Sequence, residues 1–191
     1  MRRPVWAAVA AVGVVSGCAT SVPGDAVSSG PDGVSVSTVP SKLVAPTQIN
    51  DTGRPDVTFD PCLDLGDDTI RGLGVDPTTR KRDDSVFSTY AFLSCTFQSD
   101  LNIVRISSSN ITLQEYRDRF GAVAEPINVN GREAIMLRDE VETCDIVMHT
   151  REGVVWTKSS LRSEARKRGM DKCDGLLELS QKVEPLIPEE N

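Results

Sequence analysis

The sequence predicts an α+β fold in which an antiparallel β-sheet of about five to six strands is packed against three helices. Strand-like runs come in pairs joined by short turns. The helical stretches after Asp60, Asp67 and Thr112 each open on a capping signal. No strand–helix–strand spacing with a phosphate-binding loop occurs, so hairpins rather than crossovers are expected to organise the sheet. A signal peptide and a disordered tether are expected to precede this domain.

Asp60-Pro61 reads as an N-cap followed by Pro at the first helical position, starting the turn Pro61-Cys62-Leu63. Gly66 breaks that turn. Asp67 is expected to cap a second short helix carrying Ile70 and Leu73 and ended by Gly72 and Gly74. Residues 77–84 read as a polar loop containing Arg80-Lys81-Arg82. Residues 85–99 read as one strand with Leu93, Cys95 and Phe97 facing the core, and residues 102–107 as its hairpin partner. Thr112 and Glu115 form a capping box for a helix with the apolar stripe Leu113, Tyr116 and Phe120, stapled by Ile111 and stopped by Gly121. Asn130-Gly131 is a hairpin turn between residues 127–129 and 132–137. Residues 144–150 and 154–159 form a further hairpin around Arg151-Glu152-Gly153. The last helix is expected over residues 172–186, with Pro185 and Pro188 at its end.

The first 56 residues have a different character. Arg2 and Arg3 precede an apolar run, Val5 to Val15, that is too short to span a bilayer permanently. Val15-Ser16-Gly17-Cys18 follows it, with the small residues that an export protease needs before its cut and a thiol at the first mature position. Residues 1–17 therefore read as a lipoprotein signal peptide, and Cys18 as the site that takes a diacylglyceryl group. An ordinary signal peptide with a chance Cys, or a twin-Arg route, are the other readings. Residues 18–56 read as a lipid-anchored flexible tether rich in Ser, Val, Pro, Gly and Thr. Such a chain spans on the order of 35 Å root-mean-square. Residues 57–191 make a single domain of a size that suits one core.

Formal net charge is −7. That balance argues against nucleic acid as a partner. With Cys18 lipidated, Cys62, Cys95, Cys144 and Cys173 remain, and an even set in an exported protein points to disulfides. Three connectivities are open. Cys62–Cys95 with Cys144–Cys173 is favoured because each bridge joins neighbouring elements. No C-x-x-C occurs and His149 is the only His, so neither a metal site nor a cofactor is expected.

Several of these motifs together, Asp60-Pro61-Cys62-Leu63, Leu73-Gly74-Val75, Ser94-Cys95-Thr96-Phe97 and the later Cys144 and Cys173, behind a lipobox Cys and a polar tether, resemble the actinobacterial lipoproteins grouped as domain of unknown function 3558. Phe97 stands where that pattern leads one to expect Trp. The resemblance implies an exported, anchored protein and carries over no catalytic residues.

The residues show no catalytic set with useful spacing. His149 lies in an alternating run and reads as a strand residue. Asp67-Asp68 and Asp83-Asp84 lack the spacing of an EF-hand. Arg162, Arg166, Lys167 and Arg168 cluster before the last helix and, with Arg80-Lys81-Arg82, form a possible patch for an anionic partner; the alternative is a solvated loop. The expected function is a non-enzymatic binding or accessory module, lipid-anchored on the outer face of the cytoplasmic membrane. Its partner is the membrane itself through Cys18, or an envelope protein or wall component. The competing reading is an envelope hydrolase with a non-motif active site.

Overall fold

The computed structural model describes residues 41–138 and 143–188. The expected signal peptide, Cys18 and the first part of the expected tether lie outside the described residues. The described chain is α+β, built on one antiparallel sheet of eight strands. Its centre is the hairpin of β3 (Ala91–Gln98) and β4 (Asn102–Ser109), paired without interruption from Phe92↔Ser109 to Gln98↔Ile103. β4 then pairs with β8 (Val154–Leu161), and β8 with β7 (Thr143–His149). The sheet ends with β6 (Arg132–Arg138) and β5 (Ala124–Val129). The opposite edge is β1 (Asp76–Arg82), with short β2 (Ser85–Val86) beside it on β3.

Alternation along these strands sends apolar side chains to both faces. On one face Cys95, Phe97, Val104, Ile106, Ile146 and Met148 form the main core. It is covered by α1 (Pro61–Asp64), α2 (Asp67–Gly72) and α5 (Leu176–Val183). On the other face Ile135, Leu137, Val147 and Val154 meet Leu113 and Tyr116 of α3 (Leu113–Phe120). α4 (Ser163–Lys167) closes the end of β8.

Local chemistry explains most element ends. The Asp60 side chain accepts from Cys62 N at 3.0 Å, with Pro61 opening α1. The capping box of α3 is complete, and Gly121 ends the helix at φ 53°. Asn130 and Gly131 both take positive φ, as a two-residue turn closing the Val129↔Arg132 pair requires.

Five expectations need correction. The sheet has eight strands rather than five or six, and five α-helices rather than three. Residues 77–84, read as a loop, contain β1: its Thr78 and Thr79 suit an extended chain, and the sheet edge tolerates Pro77 and the charges of Arg80 and Lys81. The single strand expected over residues 85–99 is two, because Phe87 N donates to Tyr90 O at 2.9 Å and closes a turn between β2 and β3. Asp67 does not cap α2. Gly66 holds that position, and Asp67 is the first helical residue, paired with Arg80 at 2.6 Å. The expected helix over residues 172–186 narrows to α5 and a 3-10 turn at Glu184–Leu186, because Gly175 enters the helix in the left-handed region at φ 75°. Cys173 sits in the turn before it, where its N–H donates to Asp171 at 2.9 Å.

Residues that composition assigns to the end of the tether are strapped onto the domain. Gln48 exchanges two 2.9 Å hydrogen bonds with the backbone of Val57. Asp51 N donates to Ser88 O at 3.0 Å. Arg54 donates to Asn110 O and makes a two-pronged pair with Glu115 at 2.9 and 2.6 Å. The hydrogen bonds from Arg54, against a smaller desolvation penalty, hold the Glu115 carboxyl down at about 2.

Two predictions follow from these contacts. A Cβ at position 153 would fall within 3.0 Å of backbone atoms of Ser109, Ile111 and Asn110, and Gly153 has φ 155°. Gly153→Ala is expected to destabilise the domain by about 2–4 kcal/mol in urea titrations, whereas Gly169→Ala, with open space around its Cβ, costs less. Glu115 is a carboxylate whose pKa is depressed on folding. Its contribution is therefore present above 4.5 and is lost as pH falls toward about 2. Glu115→Gln is expected to flatten stability against pH in that window, as measured by chemical denaturation at stepped pH.

Candidate functional site

Four cysteines form two pairs at disulfide distance: Cys62 with Cys95 (Cα–Cα 5.1 Å) and Cys144 with Cys173 (5.2 Å). This is the connectivity favoured from sequence. The first joins α1 to β3. The second joins β7 to the turn before α5.

A cavity of about 230 Å³ lies on the sheet face between these two staples. Its floor is β4 and β8, where Asn102, Val104 and Ser159 line it. Val104 is directly opposite Ser159, and Asn102 opposite Leu161, so Asn102 and Ser159 are diagonal neighbours on one face. Its walls come from Leu73 and Val75 at the end of α2, and from Leu176 and Leu179 of α5. Ser159 is 2% exposed. Among the described residues, neither the Ser159 hydroxyl nor the Asn102 side-chain oxygen has a hydrogen-bond partner, and both atoms are buried. Leaving such a group unpaired costs about 1–3 kcal/mol, so the sheet face under the chamber carries two polar atoms at a cost to stability.

The chamber adjoins a wider polar cleft of about 570 Å³ with which it shares Gly74, Val75 and Ser99. Arg71, Asp76, Asp100 and Arg162 stand around that cleft. Its charges are engaged locally. Arg71 pairs with Asp68 at 2.6 Å. Arg162 donates to Gln98 Oε1 and Ser99 O at 3.1 and 3.2 Å. Hydrogen bonds from Thr78 hold the Asp76 carboxyl below its usual range.

The basic residues singled out in the sequence divide. Arg166, Lys167 and Arg168 are exposed on and just after α4, and Lys167 and Arg168 both approach Glu164, at 3.9 and 3.5 Å. Arg162 belongs instead to the polar cleft. Arg80 donates to Cys62 O and pairs with Asp67. The Arg82 side chain is buried, with Nη2 donating to both oxygens of Asp60 at 2.8 and 2.7 Å and Nη1 pairing with Asp84. Burial alone would lower the Arg82 pKa, but the hydrogen bonds it donates to Asp60 and Asp84 raise it overall. Arg80 and Arg82 are thus structural cations, and the structure does not merge them with the α4 cluster into one anion-binding face.

His149 ends β7, half-buried. Its backbone carbonyl accepts from Arg132 at 3.0 Å. The nearby Glu133 is held by Arg117 at 2.6 Å, and its carboxyl is lowered mainly by that hydrogen bond, with a smaller pull from His149. This is an ion-pair neighbourhood on the α3 side of the sheet.

The model of a protein family of unknown function, DUF3558, matches residues 13–186. The chain belongs to the DUF3558 family. No curated protein and no solved structure matches it. Nothing in the sequence singled out Asn102 or Ser159, since an Asn at a strand start and a Ser on a strand are ordinary until the opposing helix is placed. The one available signal was polarity at positions whose register puts them on the core face.

The two staples close loops of 33 and 29 residues. Cys144→Ala/Cys173→Ala is expected to cost about 3–4 kcal/mol on the chain-entropy account, read by urea unfolding against the parent. Non-reducing peptide mapping of the parent should return Cys62–Cys95 and Cys144–Cys173 peptides. A Cys62–Cys144 peptide would refute the pairing.

Proposed function

We propose that this DUF3558 protein is a lipoprotein, attached through Cys18 to the outer face of the cytoplasmic membrane, whose domain serves as a non-enzymatic binding or accessory module. The observation that carries the reading is Val15-Ser16-Gly17-Cys18 directly behind a short apolar run with Arg2 and Arg3 before it. Two acyl chains on one cysteine meet the requirement for stable attachment that a single chain does not. Two cysteine pairs at disulfide distance suit an oxidising compartment outside the cytoplasm. The binding role is supported by the chamber between α2, α5 and the sheet, whose lining combines the apolar Leu73, Val75, Leu176 and Leu179 with the polar Ser99 and Asp174.

Cys18→Ala is expected to move the protein from the membrane fraction, and from the detergent phase on cloud-point partitioning, into the aqueous phase. It should also leave the signal segment uncut by the lipoprotein protease. Unchanged partitioning would sink the anchor. In-cell crosslinking of the anchored protein, read by mass spectrometry, tests whether an envelope protein is its partner.

A further inference from the structure

We infer that the Cys144–Cys173 bridge is a thiol–disulfide exchange site, attacked at Cys173 by a dithiol partner, with Ser159 stabilising the Cys144 sulfur that leaves. This rests on export to an oxidising compartment, as proposed above, but not on the lipid anchor. Access separates the two bridges. Cys62, Cys95 and Cys144 are each 0% exposed, while Cys173 is only partly buried, in the turn before α5. An attacking thiolate has to reach a sulfur. Neither end of Cys62–Cys95 offers one, and Cys144–Cys173 is open only at Cys173.

Attack there makes Cys144 the leaving group. The partner's thiolate forms a bond to Cys173 Sγ, the Cys144–Cys173 bond breaks, and Cys144 departs as a thiolate. The partner's second thiol then resolves the mixed disulfide. The partner ends oxidised to its own disulfide, and its two protons end on Cys144 and Cys173. A thiolate buried among apolar residues is costly unless a donor meets it. Ser159 is that donor. It is the strand partner of Cys144 across β7 and β8, so their Cβ atoms are about 4.5–5.5 Å apart on one face. Its hydroxyl is buried and has no hydrogen-bond partner while the bridge is closed. A freed Cys144 can turn about χ1 and take that hydroxyl, so the unmet hydrogen bond of the closed form is made in the open one. The bridge is thereby biased toward reduction. Asp171 and Asp174 flank Cys173, each accepting from a backbone N–H of the turn, at 2.9 and 2.8 Å. Their charge favours a neutral dithiol, or one set among cations, over an anionic thiol.

Opening the bridge has a local effect. α5 stays docked through Leu176, Leu179 and Val183, and through the Ser180–Thr157 hydroxyl pair at 2.6 Å. The turn before it loses its only covalent tie to the sheet. Asp174 and Gly175 of that turn line the chamber beside Leu176, so exchange at Cys173 loosens one wall of the chamber and leaves the core in place.

The test uses dithiothreitol, a neutral dithiol, on the full-length oxidised chain carrying Cys18→Ser. Samples are quenched with N-ethylmaleimide at set times and mapped by mass spectrometry. Cys144 and Cys173 are expected to be alkylated roughly tenfold faster than Cys62 and Cys95, or more. Amide shifts on their reduction should centre on residues 171–176, with the β3–β4 hairpin unmoved. In a buffer of reduced and oxidised dithiothreitol, Ser159→Ala should move the Cys144–Cys173 equilibrium roughly fivefold toward the disulfide and leave Cys62–Cys95 where it is. A Ser159 that serves only packing would not move that equilibrium. Reduction of both bridges at one rate, reduction of Cys62–Cys95 first, loss of the folded spectrum once Cys144–Cys173 opens, or an unmoved equilibrium in Ser159→Ala would each overturn the inference. The anchor is read by partitioning and the exchange by alkylation of an unanchored chain, so either can fail alone.

Discussion

The cluster centred on Arg82 is the constraint on which the helix-covered face depends. Its guanidinium is 8% exposed, as is the Asp60 carboxylate it grips, and Asp84 is 11% exposed. Three otherwise separate pieces of chain meet there. Asp60 caps α1, so the same carboxylate that accepts from Arg82 also accepts from Cys62 N. Asp84 accepts from Arg82 and from Ser94 N at 2.8 Å, tying the end of β1 to β3. Arg82 Nε donates to Leu43 O at 2.9 Å and brings in the incoming strap. A buried pair of this kind is not a large net source of stability, since desolvating the charges offsets most of their attraction. Its effect is positional. Removing Arg82 leaves two buried carboxylates without their shared cation, so α1, β1 and the strap are held in one arrangement.

That arrangement determines where the disulfides fall. With Arg82 opposite Cys95 in the β1–β3 register and Asp60 capping the turn that holds Cys62, the two thiols are delivered to each other. A covalent bond and an ion cluster then constrain the same corner of the sheet. The far side uses a different device. The β7–β8 register places Cys144, and the turn built on Asp171 presents Cys173. The main core fills most of the space between, but the neighbouring strands β4 and β8 carry Asn102 and Ser159 where apolar residues would complete it. The chamber is thus a local failure of core packing in an otherwise well-filled face, bounded by the two most constrained points of the fold.

Much of this was legible in the sequence wherever a local signal specifies structure. The Thr112–Glu115 capping box, the Asn130-Gly131 turn and the Asp60-Pro61 helix start depend on residues within four positions of one another, and each appears as expected. β1 was not legible, because Asp76 to Arg82 has the polarity of a loop and becomes a strand only by pairing with β3. The basic run Arg80-Lys81-Arg82 misled for the same reason. Alternation on a strand sends Arg80 and Arg82 inward to carboxylates and a carbonyl, and leaves Lys81 exposed. The chamber was illegible in principle. It needs β4 set beside β8, with α5 above them, across more than fifty residues of sequence, and no local pattern encodes that juxtaposition.

The strap narrows what the chamber can hold. Residues 48–57 run past the Ser88–Thr89 turn and the Asn110 end of β4, where Arg54 and Pro55 are fastened. The chamber lies at the other end of the same strands, beside Ser99 and Asn102. β3 and β4 are eight residues each, on the order of 25 Å at strand rise. The strap is therefore committed to one edge and one end of the sheet and does not reach the chamber it leaves uncovered. What covers the Asn102 and Ser159 end of the sheet is therefore α5, through Leu176 and Leu179, and not this stretch of the chain.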